Sequence, residues 1–378
     1  MAKVSPLQSN FGSGEFSPLL YGRVDAERYK SGLAKCENFV PTIQGGLTRR
    51  PGTYFVKEVK DSSDFTRLVS FEFSTEQAYI LEFGDQYIRF YKDNGNIESP
   101  PGTPYEISSP YTSADLPLLK YTQSADVLFL VHPDYAPRRL SRFTDTNWQL
   151  SQIEFEDGPY LTAQNYLADG VPKQNATFQL TASATTGSAT ISAGPSRTIT
   201  GAANNGSGLI RITATGHGYS TGDRVRIASV TGTTEANGDW IIFVVTDNTF
   251  DLQGSTFTNA YVSGGAATPG LFYSTDVGLF IRIKAGSTWG YARVTAFTNS
   301  STVTAEVENT LAGTSATSEW RLGVWSSTNG YPSAATFHED RLAFTGSLGV
   351  PQRVDLSVSG DYENFAPTDA AGTVTSAS

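Results

Sequence analysis

Turn-forming residues interrupt this chain so often that only short elements can be written through it. The 378 residues include 36 Gly and 18 Pro, and between them lie short runs rich in Val, Ile, Phe, Tyr and Thr, the residues that fit a pleated, half-buried surface. Gly84-Asp85, Pro133-Asp134 and Asn237-Gly238 separate successive runs as tight-turn signals. The pattern predicts strands at residues 53–56, 66–73, 78–83, 87–91, 127–131, 138–140 and 148–155. Further strands are expected at 178–180, 190–191, 209–213, 224–227, 240–246, 249–252, 280–283, 291–294, 302–307, 335–338, 341–344 and 353–357. One helix is expected at residues 25–36, capped by Asp25, with Tyr29, Leu33 and Cys36 on one face. The fold class is all-β: propeller-like antiparallel sheets with an N-terminal arm and short helix, plus an inserted small barrel or sandwich.

Composition narrows the function. Charged residues are 17% of the chain, below the ~25% of an average soluble domain. The net charge of −10 is spread evenly: residues 1–160 carry 16 Lys and Arg against 21 Asp and Glu, and residues 161–378 carry 11 against 16. No basic stretch is present to hold nucleic acid by neutralising phosphates. Cys36 is the only cysteine, which excludes an intrachain disulfide or a Cys-based zinc site and fits a reducing compartment. The first residues lack the apolar core of a signal peptide. The longest apolar runs, 127–131 and 241–245, are far shorter than the ~20 residues of a membrane span. The expectation is a protein made in a cytoplasm, with no membrane insertion.

Composition shifts near Leu161, and residues 174–283 contain no Lys. The expected organisation is an N-terminal arm, helix and platform segment at 1–60, a propeller-like region at 61–160, an inserted small β-barrel at 161–270, a second inserted β unit at 271–325, and a return to the propeller-like region at 326–378. The first and last regions share a rhythm of apolar strand, Gly/Pro/Asp turn and Arg-led strand, which points to blade-scale repetition. The run to Ser378 offers no closing strand, so the natural protein is expected to be longer or its ring to be completed by other means.

Three stretches resemble the tail nozzle, or tail hub, proteins of short-tailed bacteriophages. The first carries Asn38, Gly45, Gly46, Arg49, Arg50, Pro51 and Gly52. The second carries Trp320, Gly330, Tyr331, Pro332 and Arg341, and the third Gly360, Asp361 and Tyr362. The resemblance implies a structural virion protein without enzymatic activity or cofactor. It would form part of a distal ring, six-fold in that family, through which DNA passes without specific binding. Its partners would be other nozzle subunits, a tail adaptor ring and tail fibres or spikes. The middle of the chain, with Gly216, His217, Gly218, Gly222, Asp223 and Trp240, is similar to a small β-barrel of the first catalytic-cysteine half-domain of ubiquitin-activating enzymes. That activity needs a thiolate, and residues 200–265 contain no Cys. A rival reading is a β-rich phage receptor-binding or glycan-depolymerising protein.

Candidate reactive groups are sparse. His132, His217 and His338 lie in distant segments, and a metal site would need the fold to join them; His217, between two glycines, reads as a turn residue. Glu154, Glu156 and Asp157, and Glu339 with Asp340, are the carboxylate clusters that a glycosidase would need; alternation puts Glu154 and Glu156 on one strand face, in water. Gly45-Gly46 with Arg49-Arg50 reads either as an anion loop or as a turn whose arginines meet acids of a neighbouring subunit. Residues 93–96 and Asp247-Asn248 lack the ligand density of a calcium loop. No metal, cofactor or catalytic residue is assigned.

Overall fold

The computed structural model describes residues 7–74, 77–162, 165–168 and 171–367; the C-terminal run 368–378 discussed above lies outside them. The chain divides into two compact units, Met1–Lys57 and Glu58–Ser378. The fold is all-β, with curled antiparallel sheets.

In the first unit the expected helix at 25–36 reduces to a single 3-10 turn, Glu27–Ser31. The reason is steric. Phe16 lies against Gly32, where a side chain would have its Cβ 2.3 Å from the Phe16 ring, and Phe16 N donates to Leu33 O (2.9 Å), holding residues 32–33 extended. A two-stranded hairpin follows, Phe39–Pro41 with Leu47–Arg49. The strand expected at 53–56 does not form; those residues have no strand partner.

The second unit begins its regular structure with a sheet of Arg67–Glu72, Ala78–Gly84 and Tyr87–Lys92, extended by Gly95–Asn96 and Glu106–Ser108. A second sheet contains Lys120–Ser124, Val127–His132, Tyr135–Thr144 and Asn147–Gln152. Period-2 alternation assigns the faces. Val69, Phe71, Leu81, Phe83 and Phe90 from the first sheet meet Leu128, Leu130, Leu140 and Trp148 of the second in one core. The intervening residues Phe129 and Val131 point the other way, into a separate core with Leu342, Phe344 and Phe365. Burial on both faces is why 127–131 reads as an unbroken apolar run. Each fully buried side chain of this kind contributes ~1.5–3 kcal/mol. A third sheet, Ala334–His338, Arg341–Ser347 and Val350–Leu356, closes the second core.

Between the second and third sheets lies a large insertion with its own core. Its pairing differs from the expected division at residue 270. Gln179–Ala182 and Gly187–Gly194, which precede the expected barrel strands, join Thr302–Asn309, Gly290–Asn299, Phe280–Ile283 and Trp320–Leu322 in a six-stranded sheet. A curled seven-stranded sheet is nested inside that loop of chain: Arg197–Thr198, Gly201–Asn204, Ile210–Thr213, Arg224–Ala228, Gly238–Thr246, Thr249–Leu252 and Ala266–Pro269. The boundary fails because Phe178, Ile191, Ile212, Phe250, Ile281 and Val303 are buried in one continuous core. The ends of the whole insertion are directly tied: Leu161 N donates to Leu322 O (2.8 Å) and Val324 N to Pro159 O (3.0 Å).

Candidate functional site

Within the second unit, the second and third resembling stretches converge where the insertion joins the stacked sheets. Trp325 packs on Phe155 (5.0 Å between ring centroids), Phe344 (5.3 Å) and Phe365 (5.2 Å), and Phe344 stacks on Phe365 at 5.4 Å. Backbone bonds lock the same place: Glu156 N donates to Glu363 O (3.0 Å), and Phe365 N to Asp157 O (2.9 Å). Gly158, at φ +62°, allows this approach, since a Cβ there would lie 2.4 Å from Phe365 O. A cavity of about 90 Å³ opens beside the cluster, lined by Phe155, Phe280, Arg293, Trp325 and Tyr331 among others.

Buried polar groups fix this junction. Asp157 accepts from the Tyr160 hydroxyl, and burial holds its carboxyl above the usual range while that hydroxyl and Arg282 pull the other way. Asp276 accepts from Tyr273 N (2.8 Å) and from Thr328 Oγ1 (2.8 Å), and burial raises it too. Arg293 ties the insertion to the sheet stack by donating to Phe155 O (2.7 Å) while pairing with Glu308 (2.7 Å). These groups are committed to one another and to backbone, so the arrangement orients sheets. The ties of Asp276 to Thr328 and of Arg293 to Phe155 carried no sequence signal, because those partners are far away in the chain.

Each singled-out residue has a place. Trp320 is fully buried and its indole donates to Phe178 O (3.1 Å). Gly330 takes φ +79° against Leu348, and Tyr331 N donates to Pro133 O (2.9 Å). Pro332 is buried. Arg341 donates to Ser357 O (2.9 Å). Gly360 N donates to Asp340 O (2.8 Å), the Tyr362 hydroxyl to Asp340 (2.8 Å), and Asp361 bridges to Val358. Tyr362 also packs on Phe337 (4.9 Å).

In the first unit, Gly45 takes φ +90° in the hairpin turn, where a Cβ would lie 2.8 Å from Asn10. Gly46 N donates to Thr42 Oγ1 (3.1 Å). Asn38, at φ +63°, accepts from Arg50 Nε (2.7 Å). Arg49 ends the second hairpin strand, and Pro51 and Gly52 follow it without regular structure.

The candidate reactive groups stay apart. Glu154 and Glu156 are exposed while Asp157 is buried, and Glu339 and Asp340 form the exposed turn between two strands, both at positive φ. His132 is buried and its Nδ1 accepts from Asp134 N (3.1 Å). His217 sits in the expected turn, but its side chain is buried. Nδ1 accepts from Tyr219 N (3.0 Å), so Nε2 carries the proton and donates to Thr246 O (2.9 Å). His338 is exposed. Among the described residues no group of three or more His, Cys, Asp or Glu is placed to hold a metal ion, and no helix is long and apolar enough to cross a membrane. Compared with known proteins, the chain matches no family and no curated sequence.

Proposed function

We propose that this chain is a structural component of a phage tail, forming part of the distal nozzle or hub ring through which DNA is ejected. The observation that carries the reading is the stacking of three antiparallel sheets in chain order, the middle one buried on both faces. Sheets that share cores face to face in sequence are compatible with the blades of a propeller-like wall. The residues of the second and third resembling stretches support the same reading, because they build the junction of blade and insertion by packing and hydrogen bonding. The insertion then projects from the wall, and neighbouring subunits and an adaptor ring complete the assembly. The acidic balance of the chain suits a conduit, since a lysine-lined tunnel would hold each duplex segment by counterion release.

The test is direct. Gold-labelled antibodies against the chain should mark the distal end of tails in micrographs of the parent virion, and purified chain should bind adaptor rings. Labelling elsewhere, with cleavage or tight binding of host surface glycan by the purified chain, would replace this reading with a receptor-binding or depolymerase role.

A further inference from the structure

We infer that Arg321, Lys284 and Trp289, backed by Arg282, form a binding site for a sugar that carries one carboxylate. The site lies on the insertion, on the face of the six-stranded sheet opposite its core. Ile281, Ile283, Trp320 and Leu322 point into that core, so alternation turns Arg282, Lys284 and Arg321 to the other face. Arg282 and Arg321 stand directly opposite each other on adjacent strands. The loop between Ile283 and Gly290 brings Trp289 back to them. The Arg282 guanidinium lies 5.1 Å from an indole ring centre, that of Arg321 5.5 Å and Lys284 Nζ 6.0 Å. Residues 161–378 hold 11 Lys and Arg, and three of them meet at this one side chain.

Packing alone does not account for this arrangement. Like charges directly opposite on neighbouring strands destabilise a sheet. The indole offsets that repulsion but supplies no acceptor for a guanidinium fork. Arg282 is buried and feels the Asp157 carboxylate. Lys284 Nζ meets Glu319 at 3.3 Å. Arg321 has no carboxylate within ion-pair reach among the described residues, and its guanidinium donates to backbone, Trp320 O (2.7 Å). Burial lowers its pKa and Arg282 adds to that, while Glu319 raises it from farther off. Three cations thus face two carboxylates, Glu319 and Asp157, and burial pushes Asp157 toward its neutral form. The charge surplus selects the ligand. A phosphate polymer would meet the net −10 of the whole chain around a surplus too small to hold it. A single carboxylate matches the surplus, and the Arg321 fork suits its two oxygens. Trp289 is half-buried, and its indole adds a flat apolar surface on which the C–H face of a pyranose ring can pack.

Weak binding of a single sugar is compatible with a tail component, and the tail role can fail without touching it. The experiment uses the full chain labelled with ¹⁵N at its tryptophans. Methyl glucuronide should shift the Trp289 indole cross-peak, identified by its loss in Trp289→Phe, with a dissociation constant on the order of 1 mM. Methyl glucoside, which lacks the carboxylate, should bind about tenfold more weakly or less. Arg321→Gln removes both charge and fork and should weaken glucuronide binding by about tenfold, whereas Arg321→Lys keeps the charge, loses the fork and should fall between. Without sugar, Arg321→Gln should melt no lower than wild type, because it relieves the opposition to Arg282. An unmoved Trp289 signal, an equal response to the neutral sugar, Arg321 variants that bind as wild type does, or a lower melt for Arg321→Gln would each overturn the assignment. So would inorganic phosphate or a tetraglutamate peptide binding as tightly as methyl glucuronide, since the site would then read charge alone.

Discussion

Trp148→Ala tests whether the stacking of the first two sheets is what holds the second unit together. The indole is 3% exposed, stacks on Phe90 at 4.6 Å and meets Phe71 at 4.9 Å and Tyr79 at 5.4 Å edge-on. An aromatic side chain of this size buries up to ~250 Å², worth ~6 kcal/mol at 25 cal/mol per Å². Residual burial in the unfolded chain takes about a third of that away, and partial collapse of the site sets the outcome in the usual 3–5 kcal/mol range for an aromatic truncation. Urea denaturation followed by tyrosine fluorescence and by far-ultraviolet circular dichroism gives the loss, provided that both probes report one transition. Leu68→Ala, on the exposed face of the same sheet, is the control and should change stability by less than about 0.5 kcal/mol. A loss below about 1.5 kcal/mol for Trp148→Ala would mean that the shared core is not the main support of these sheets.

Replacing residues 161–322 with a short Gly/Ser linker should leave a soluble protein with a cooperative melt, because Leu161 and Leu322 are hydrogen-bonded neighbours. Removing only the nested sheet between Arg197 and Ala267, also paired neighbours, should cause aggregation, since Ile191 and Ile281 would lose their cover. Asp157→Asn should stabilise the protein at pH 8 and approach wild type as pH falls. Burial raises the folded-state pKa of Asp157, so ionisation above that pKa costs the native state stability that protonation restores. Glu235 behaves oppositely. Hydrogen bonds from Asn259 and Thr258 N lower it to about 2, so Glu235→Gln should be less stable than wild type above the ordinary carboxylate range, and the gap should close as pH falls toward 2 in denaturation curves. Duplex DNA should bind the free chain no tighter than micromolar at physiological salt; submicromolar binding by fluorescence anisotropy would remove the conduit role.

Local signals made most strands legible. Arg224–Ala228 and Thr249–Leu252 alternate or sit between strong turns, and each matches its expected place within a residue or so. Residues 25–36 misled because capping and one-face spacing are local, whereas the Phe16 ring that occupies the space beside Gly32 comes from another segment. Residues 53–56 misled in the reverse sense: strand propensity was present and a partner was not. The division at 270 could not be read because the pairing of Gly187–Gly194 with Thr302–Asn309 is non-local and leaves no pattern in either strand. At the junction, Gly158 meets Phe365 across about 200 residues of chain and Trp325 meets Phe155 across about 170, which no spacing encodes.

The nesting of one sheet inside another bears on how the protein emerges from a ribosome. Ser192 pairs with Thr302, so the strand that contains it waits for about 110 residues to be made before its neighbour exists, on the order of 5–20 s at 5–20 residues per second. The nested sheet closes through near neighbours and finishes during that interval. It also draws Arg197 next to Ala267, bringing the two waiting halves of the outer sheet to the same place as the later strands are made. The order of synthesis thus turns a long-range closure into a short one. A slowdown placed after residue 270 would lengthen the exposure of Leu180 and Ile191, whereas one placed before residue 170 would leave it unchanged.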